Sequence, residues 1–210
     1  MSEQVILLHG LWMRGFALAM LDKRLIEAGF EVHRFDYLSI GSTQEDILDR
    51  LQGQIRELAA PGGGVVHLVG HSLGGLLALR ACSGTSRLPR GRIVCLGSPL
   101  LGSAAARNLS AWGRGAEALL GHNRELLERG FLHWDGQREV GVIAGRLPLG
   151  LGAMLGRLDG EHDGTVAVAE TRLPGITDHC VVESNHMSLL FSAEVAARTT
   201  RFLHTGHFAE

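Results

Sequence analysis

Hydrophobic and polar positions alternate along the chain in two textures. Short, strand-length apolar runs stand at 5–8, 32–35, 65–69, 93–96, 140–144 and 180–183. Between them, apolar residues recur at helical spacing over about 16–28, 43–59, 73–82, 104–131 in pieces, and 189–203. In the second of these segments Ile47, Leu48, Leu51, Ile55 and Leu58 share a helical stripe. Ser42 or Thr43 stands where an N-cap accepts a free amide, ahead of Glu45 and Asp46 in the first turn. Runs and stripes in alternation build βαβ units, so the predicted fold class is α/β: a mostly parallel sheet of about six strands with helices on both faces.

Composition narrows the function classes. With 210 residues, 45% hydrophobic and 20% charged, the chain suffices for one domain over 1–210 that buries about 70% of its unfolded surface. The least regular stretch, 103–162, has the length and position of an inserted cap or lid. Twenty Lys and Arg against 22 Asp and Glu leave a formal charge of -2, which provides no field for steering toward nucleic acid. Cys82, Cys95 and Cys180 are few and odd in number, which favours free buried thiols over a secreted disulfide set. The run 5–8 is halted by His9-Gly10 and is too short for a signal-peptide core, and no stretch approaches the ~18 apolar residues of a membrane helix. A cytoplasmic protein with no integral membrane segment is expected, with transient membrane contact left open.

The candidate chemistry begins at Gly70-His71-Ser72-Leu73-Gly74, which follows a β-branched run and precedes a helical one. With 29 glycines in the chain, G-x-S-x-G alone is a weak signal; its strand-turn-helix setting is much stronger. Glycines two residues to either side of a serine relieve collisions on a sharp turn, and the following helix offers free N–H groups to a developing negative charge. A glycine-rich turn with Ser72 as a simple N-cap is the plainer alternative.

Together with Leu7-Leu8-His9-Gly10-Leu11, Gly97-Ser98-Pro99-Leu100-Leu101-Gly102-Ser103, Asp163-Gly164-Thr165-Val166 and Asn185-His186-Met187, this motif resembles those of α/β-hydrolases, close to small serine lipases and PGAP1-like esterases. The resemblance spans nearly the whole chain. It implies a reduced α/β-hydrolase fold, without the first two strands of larger members, and a chain order of serine, acid, histidine. His186 is then the expected base, because it follows the last strand and precedes the final helix. His162, His179, His204 and His207 are rivals in worse positions. Asp163 is the expected acid, with Asp159, Glu161 and Asp178 nearby.

Backbone N–H groups of Leu73 and Leu11 are the expected oxyanion donors, with Gly10 permitting close approach and His9 bracing the loop. Glu161-His162-Asp163 is read as no metal site, since adjacent side chains diverge. The expected reaction is hydrolysis of a small-molecule or lipid carboxylic ester through an acyl-enzyme on Ser72, with no cofactor. A thioesterase or amidase with the same triad, or a non-catalytic binding module on the same fold, are the competing readings. Trp12 and the apolar cluster Leu147, Leu149, Leu151, Met154, Leu155 and Leu158 are the expected acyl-binding side chains. Trp112, Leu119, Leu120, Leu126, Leu127, Phe131 and Trp134 are expected to add a helical cap, and ordinary core packing is the alternative for both groups.

Overall fold

A computed structural model of the chain describes residues 3–60, 64–84, 88–149 and 158–209. Six strands, β1 (Gln4–Leu8), β2 (Glu31–Phe35), β3 (Val66–His71), β4 (Ile93–Leu96), β5 (Val140–Gly145) and β6 (Asp178–Val182), form one sheet in the order β2-β1-β3-β4-β5-β6. Every pairing is parallel. β3, β4 and β5 are buried at every residue, as strands covered on both faces must be. The outer strands β2 and β6 are mostly half-buried or exposed and carry Glu31, His33 and Arg34 on one side, Asp178 and His179 on the other.

The period-two geometry of a strand sorts its side chains between two cores. Ile6 and Leu8 of β1 join Leu68 and the apolar stripes of α2 (Gln44–Ala59) and α3 (Leu73–Cys82). Val5 and Leu7 join Val69, α1 (Ala19–Glu27) and α7 (Ala193–Thr205) on the other face. Phe202 of α7 is wholly buried there, and a side chain of that size contributes about 1.5–3 kcal/mol on full burial. Of the two caps considered for α2, Thr43 takes the role, its hydroxyl accepting from Asp46 N at 3.1 Å. α7 starts at the Ser192 cap and stops at Gly206, whose φ of 83° takes the left-handed conformation that ends helices.

Four expectations shift in detail, the final helix first: the start expected at 189 is a 3-10 turn, Ser188–Leu190, and α7 follows it. The helix expected from residue 16 opens as a 3-10 turn, Gly15–Leu18, before α1. β6 begins two residues early, at Asp178, and leaves Glu183 outside. The 104–131 pieces resolve into α4 (Ala104–Ser110), α5 (Arg114–Glu117) and α6 (Arg124–Arg129), joined by a short 3-10 turn. All three thiols are free; Cys82 and Cys95 are buried and Cys180 is half-buried. Among the described residues no helix is long and apolar enough to cross a membrane.

Because all strands run the same way, the loops leaving their C-terminal ends gather on one upper rim, the place where open α/β sheets bind ligands.

Candidate active site

β3 ends at His71 and α3 starts at Leu73, so Ser72 alone turns the chain, at φ 53° and ψ -119°. A non-glycine residue there stores backbone strain. The turn survives because its neighbours lack side chains: a Cβ on Gly70 would strike the Gly74 backbone, and one on Gly74 the carbonyls of Leu8 and His9. Leu73, wholly buried, opens α3 where a helix leaves its first N–H groups without intrahelical partners.

The loop after β6 brings His186 to the same place. Its Nδ1–H donates to Asp163 Oδ2 at 2.7 Å, and its own amide donates to the Asp163 carbonyl at 2.8 Å. Asp163 is almost wholly buried, and its Oδ1 accepts the amides of Thr165 (2.9 Å) and Val166 (2.7 Å). Three donors thus fix the carboxylate, and the carboxylate fixes the ring. Gly97, after β4, makes this pair fit: a Cβ there would lie 3.0 Å from Asp163 Oδ2 and 3.2 Å from His186 Nδ1. Sequence reading placed Gly97 in a motif but did not see this steric role, which depends on two residues distant in the chain.

His71, just before Ser72, holds the His186 loop. Its Nε2–H donates to the His186 carbonyl at 2.9 Å and its ring lies 4.6 Å from the His186 ring. Complete burial, together with the nearby His186, pushes the His71 imidazole down to about 3, so it stays neutral and structural.

Ser72, His71 and His186 line a cavity of about 330 Å³ whose walls are otherwise mostly apolar. Gly10, Leu11, Trp12 and Met13 form one side; Leu109, Leu120 and Leu127 of the 104–129 segment form another; Leu149, Val166 and Met187 complete it. Gly10 sits against the serine, since a Cβ on it would lie 3.2 Å from Ser72 Cβ. Trp12 is tied across the mouth: its indole N–H donates to the Leu119 carbonyl at 2.8 Å and its amide to Ser39 Oγ at 3.1 Å, at a φ of 58°. Asn123 Nδ2 donates to the Ser39 carbonyl at 2.8 Å, closing a three-way link that no local pattern announces.

The remaining candidates separate cleanly. His162 accepts the Gly164 amide in its own turn, His179 bonds Thr171 Oγ1, and His204 stacks on Phe30. His207 is exposed, Asp178 Oδ2 accepts the Phe208 amide, and Glu161 pairs with Arg146. Among the described residues no three His, Cys, Asp or Glu side chains cluster for a metal. Leu149 reaches the cavity, whereas Leu147 does not line it and Leu158 is buried; Leu151, Met154 and Leu155 lie outside the described residues. Of the expected cap residues, Leu120 and Leu127 line the cavity and Trp112 is exposed. Trp134 does not belong with them: it is core, its indole donating to the Arg138 carbonyl and its amide to Pro174. It follows α6 as the chain returns toward β5, so its apolar bulk serves the sheet.

Comparison with known proteins agrees with this architecture. The mature form of Bacillus licheniformis lipase BlEst2 superposes with a TM-score of 0.75 at 21% identity, over 97% of this chain and 91% of that one. The Pyrococcus furiosus esterase PF2001 gives 0.63 at 20%, over 96% and 81%. The phospholipase PlaB from Legionella pneumophila gives 0.62 at 18%, over 81% of this chain and 46% of the other. At these identities the likeness is one of fold. No curated protein matches the sequence. The model of the alpha/beta hydrolase family, however, matches residues 5–209, and with the six-stranded parallel sheet already described it assigns the chain: it belongs to the alpha/beta hydrolase family.

Proposed function

We propose that the protein is a serine hydrolase that cleaves carboxylic esters through an acyl-enzyme. The observation that carries this reading is the meeting of Ser72, on its strained turn, and His186, anchored to Asp163 at 2.7 Å, in the wall of one apolar cavity. Ser72 Oγ attacks the ester carbonyl while His186 Nε2 takes the hydroxyl proton; Asp163 holds the ring in the required tautomer and stabilises the imidazolium. The tetrahedral oxyanion is held by the N–H groups of Leu73 and Leu11. Collapse expels the alcohol, which receives its proton from His186. A water then repeats the sequence on the acyl-enzyme and releases the acid.

The mostly apolar lining favours an acyl chain, each buried methylene contributing about 0.8 kcal/mol. Aryl esters from acetyl to decanoyl, assayed beside a fluorophosphonate probe, test the proposal. Turnover that rises toward medium chains, with labelling lost in Ser72→Ala, supports it. Labelling that persists in Ser72→Ala, or no turnover and no labelling in the unaltered protein, overturns it.

A further inference from the structure

The loop after β1 contains a wholly buried histidine, His9, that does not line the cavity. Its ring is stacked on Tyr37 at 4.1 Å and 9°, and the Tyr37 hydroxyl donates to the His9 carbonyl at 2.5 Å. Around the imidazole edge, Nδ1 lies 2.9 Å from the Gly10 carbonyl. Nε2 faces the Tyr37 amide at 3.4 Å and Asp36 Oδ1 at 3.3 Å.

Burial holds the imidazole below its ordinary value, against the opposing pull of Gly10 and Asp36, so the ring is neutral and carries one hydrogen. Its place follows from the partners. With the hydrogen on Nδ1, the ring donates to the Gly10 carbonyl and accepts from the Tyr37 amide, and only the Asp36 contact is poor. With the hydrogen on Nε2, it gains Asp36 but sets a lone pair against the Gly10 carbonyl and a hydrogen against the Tyr37 amide. The first arrangement makes two bonds at one conflict, the second one bond at two.

The Gly10 carbonyl belongs to the same peptide unit as the Leu11 N–H, and in a planar trans peptide these two groups point in opposite directions. A carbonyl turned toward His9 therefore turns the Leu11 N–H the other way, to the side where Leu11 and Ser72 both line the cavity. The Met13 amide, 3.4 Å from the same carbonyl, reinforces this setting. We infer that His9 is a positioning residue, whose Nδ1–H locks the Gly10–Leu11 peptide so that the Leu11 N–H is aimed at the oxyanion. The inference rests on the ester-hydrolase reading above, and it also gives a role to Asp36-Tyr37, which follow β2 and lie against this loop: the Tyr37 amide selects the useful tautomer.

Asn and Gln separate a positioning role from mere packing, because the Asn amide places a donor near Nδ1 and the Gln amide places one near Nε2. In His9→Gln, kcat for an aryl ester is expected to fall about a hundredfold, the scale of losing one oxyanion donor, with KM within about twofold. His9→Asn is expected to recover most of that loss. Affinity for a trifluoromethyl ketone, which forms the oxyanion, should follow kcat across the variants, while affinity for an ether analogue that cannot form it should not change.

Asp36→Asn alters an exposed carboxylate, which also accepts the Gly15 amide and pairs with Arg14, and leaves the buried His9–Tyr37 stack in place. It should leave kcat within about threefold, since the amide can donate to Nε2 and favour the same tautomer. Equal losses in His9→Asn and His9→Gln, unchanged ketone affinity, or a tenfold loss in Asp36→Asn would overturn the inference while leaving the hydrolase reading intact. An unaltered protein with neither turnover nor fluorophosphonate labelling would overturn both.

Discussion

The two rims of the sheet are built on opposite rules. On the lower rim, at the N-terminal ends of the strands, polar groups are tied off: Arg138 donates to the carbonyls of Val66 and Pro89, and Arg92 donates to Leu203 and pairs with Glu139. On the upper rim, Ser72 and Trp12 hold positive φ, the only non-glycine residues described that do so, and half-exposed apolar side chains such as Trp12, Leu119 and Met187 face solvent. One rim spends its side chains on satisfying the backbone; the other leaves strain and donors available for chemistry. Their difference sets the upper rim apart as a candidate site without reference to any motif.

Substitutions that keep Ser72 should separate the two rims, the largest effect among them being expected at Asp163. Asp163→Asn leaves a group that still fills the space but holds the His186 ring in the wrong tautomer, and kcat should fall about 10⁴-fold. Asp178→Asn, on the lower rim, should change kcat little; a larger loss there would place the acid elsewhere.

A pair of glycines makes the contrast sharper. Gly97→Ala puts a methyl against Asp163, His186 and Leu189 at a φ of 54°, and should lower kcat about a hundredfold by misplacing the base. Gly91→Ala drives a methyl into the Val66 carbonyl on the lower rim, so it should lower the unfolding temperature while the folded fraction keeps its specific activity. Active-site titration with fluorophosphonate, giving turnover per folded molecule, distinguishes the two outcomes.

Acid is expected to erase the distinction, because β3 carries a neutral buried histidine near each end. Burial lowers His67 to about 4 and His71 to about 3, below the ~6.5 of the unfolded chain. The unfolded state therefore takes up protons first, and stability falls as pH drops below about 6.5 until the folded values are reached. At pH 5 each contributes a loss of about 2 kcal/mol relative to neutral pH, readable in urea midpoints. A midpoint unchanged between pH 7 and pH 5 would contradict the buried neutral pair.

The smallest change in stability concerns strain itself. Ser72→Gly should abolish turnover yet stabilise the fold by about 1 kcal/mol, since glycine tolerates the turn at no steric cost. A lowered unfolding temperature would mean that the serine contributes packing the geometry does not reveal.

The sequence made the inner strands and the helix after the serine legible, because unbroken apolar runs are unambiguous. β4 (Ile93–Leu96) and α3 (Leu73–Cys82) fall where they were expected. The ends of β6 and the start of α1 were not, since Asp178 owes its place to β5 pairing and Gly15–Leu18 wind into a 3-10 turn against Asp36. Local motif chemistry also put Ser72, Asp163 and His186 forward as candidates, and the structure brings His186 and Asp163 into contact. What stayed hidden is what spans the chain: Gly97 beside Asp163 and His186, Trp12 bound to Leu119, and Tyr37 against His9. Trp134 misled because an aromatic at helical spacing looks alike in a cap and in a core.

The outer strands carry a consequence of a different kind. A parallel sheet ends in two rows of unpaired backbone groups, each a template on which another molecule's strand can add. Here β2 presents Glu31, His33 and Arg34 along one such row, and β6 presents Asp178 and His179 along the other. An incoming strand would have to desolvate charges on either side, so the sheet resists extension from molecule to molecule. Concentrated solutions should therefore fail first by contact through the apolar upper rim, where detergent would reverse the association, and not by fibrillar growth.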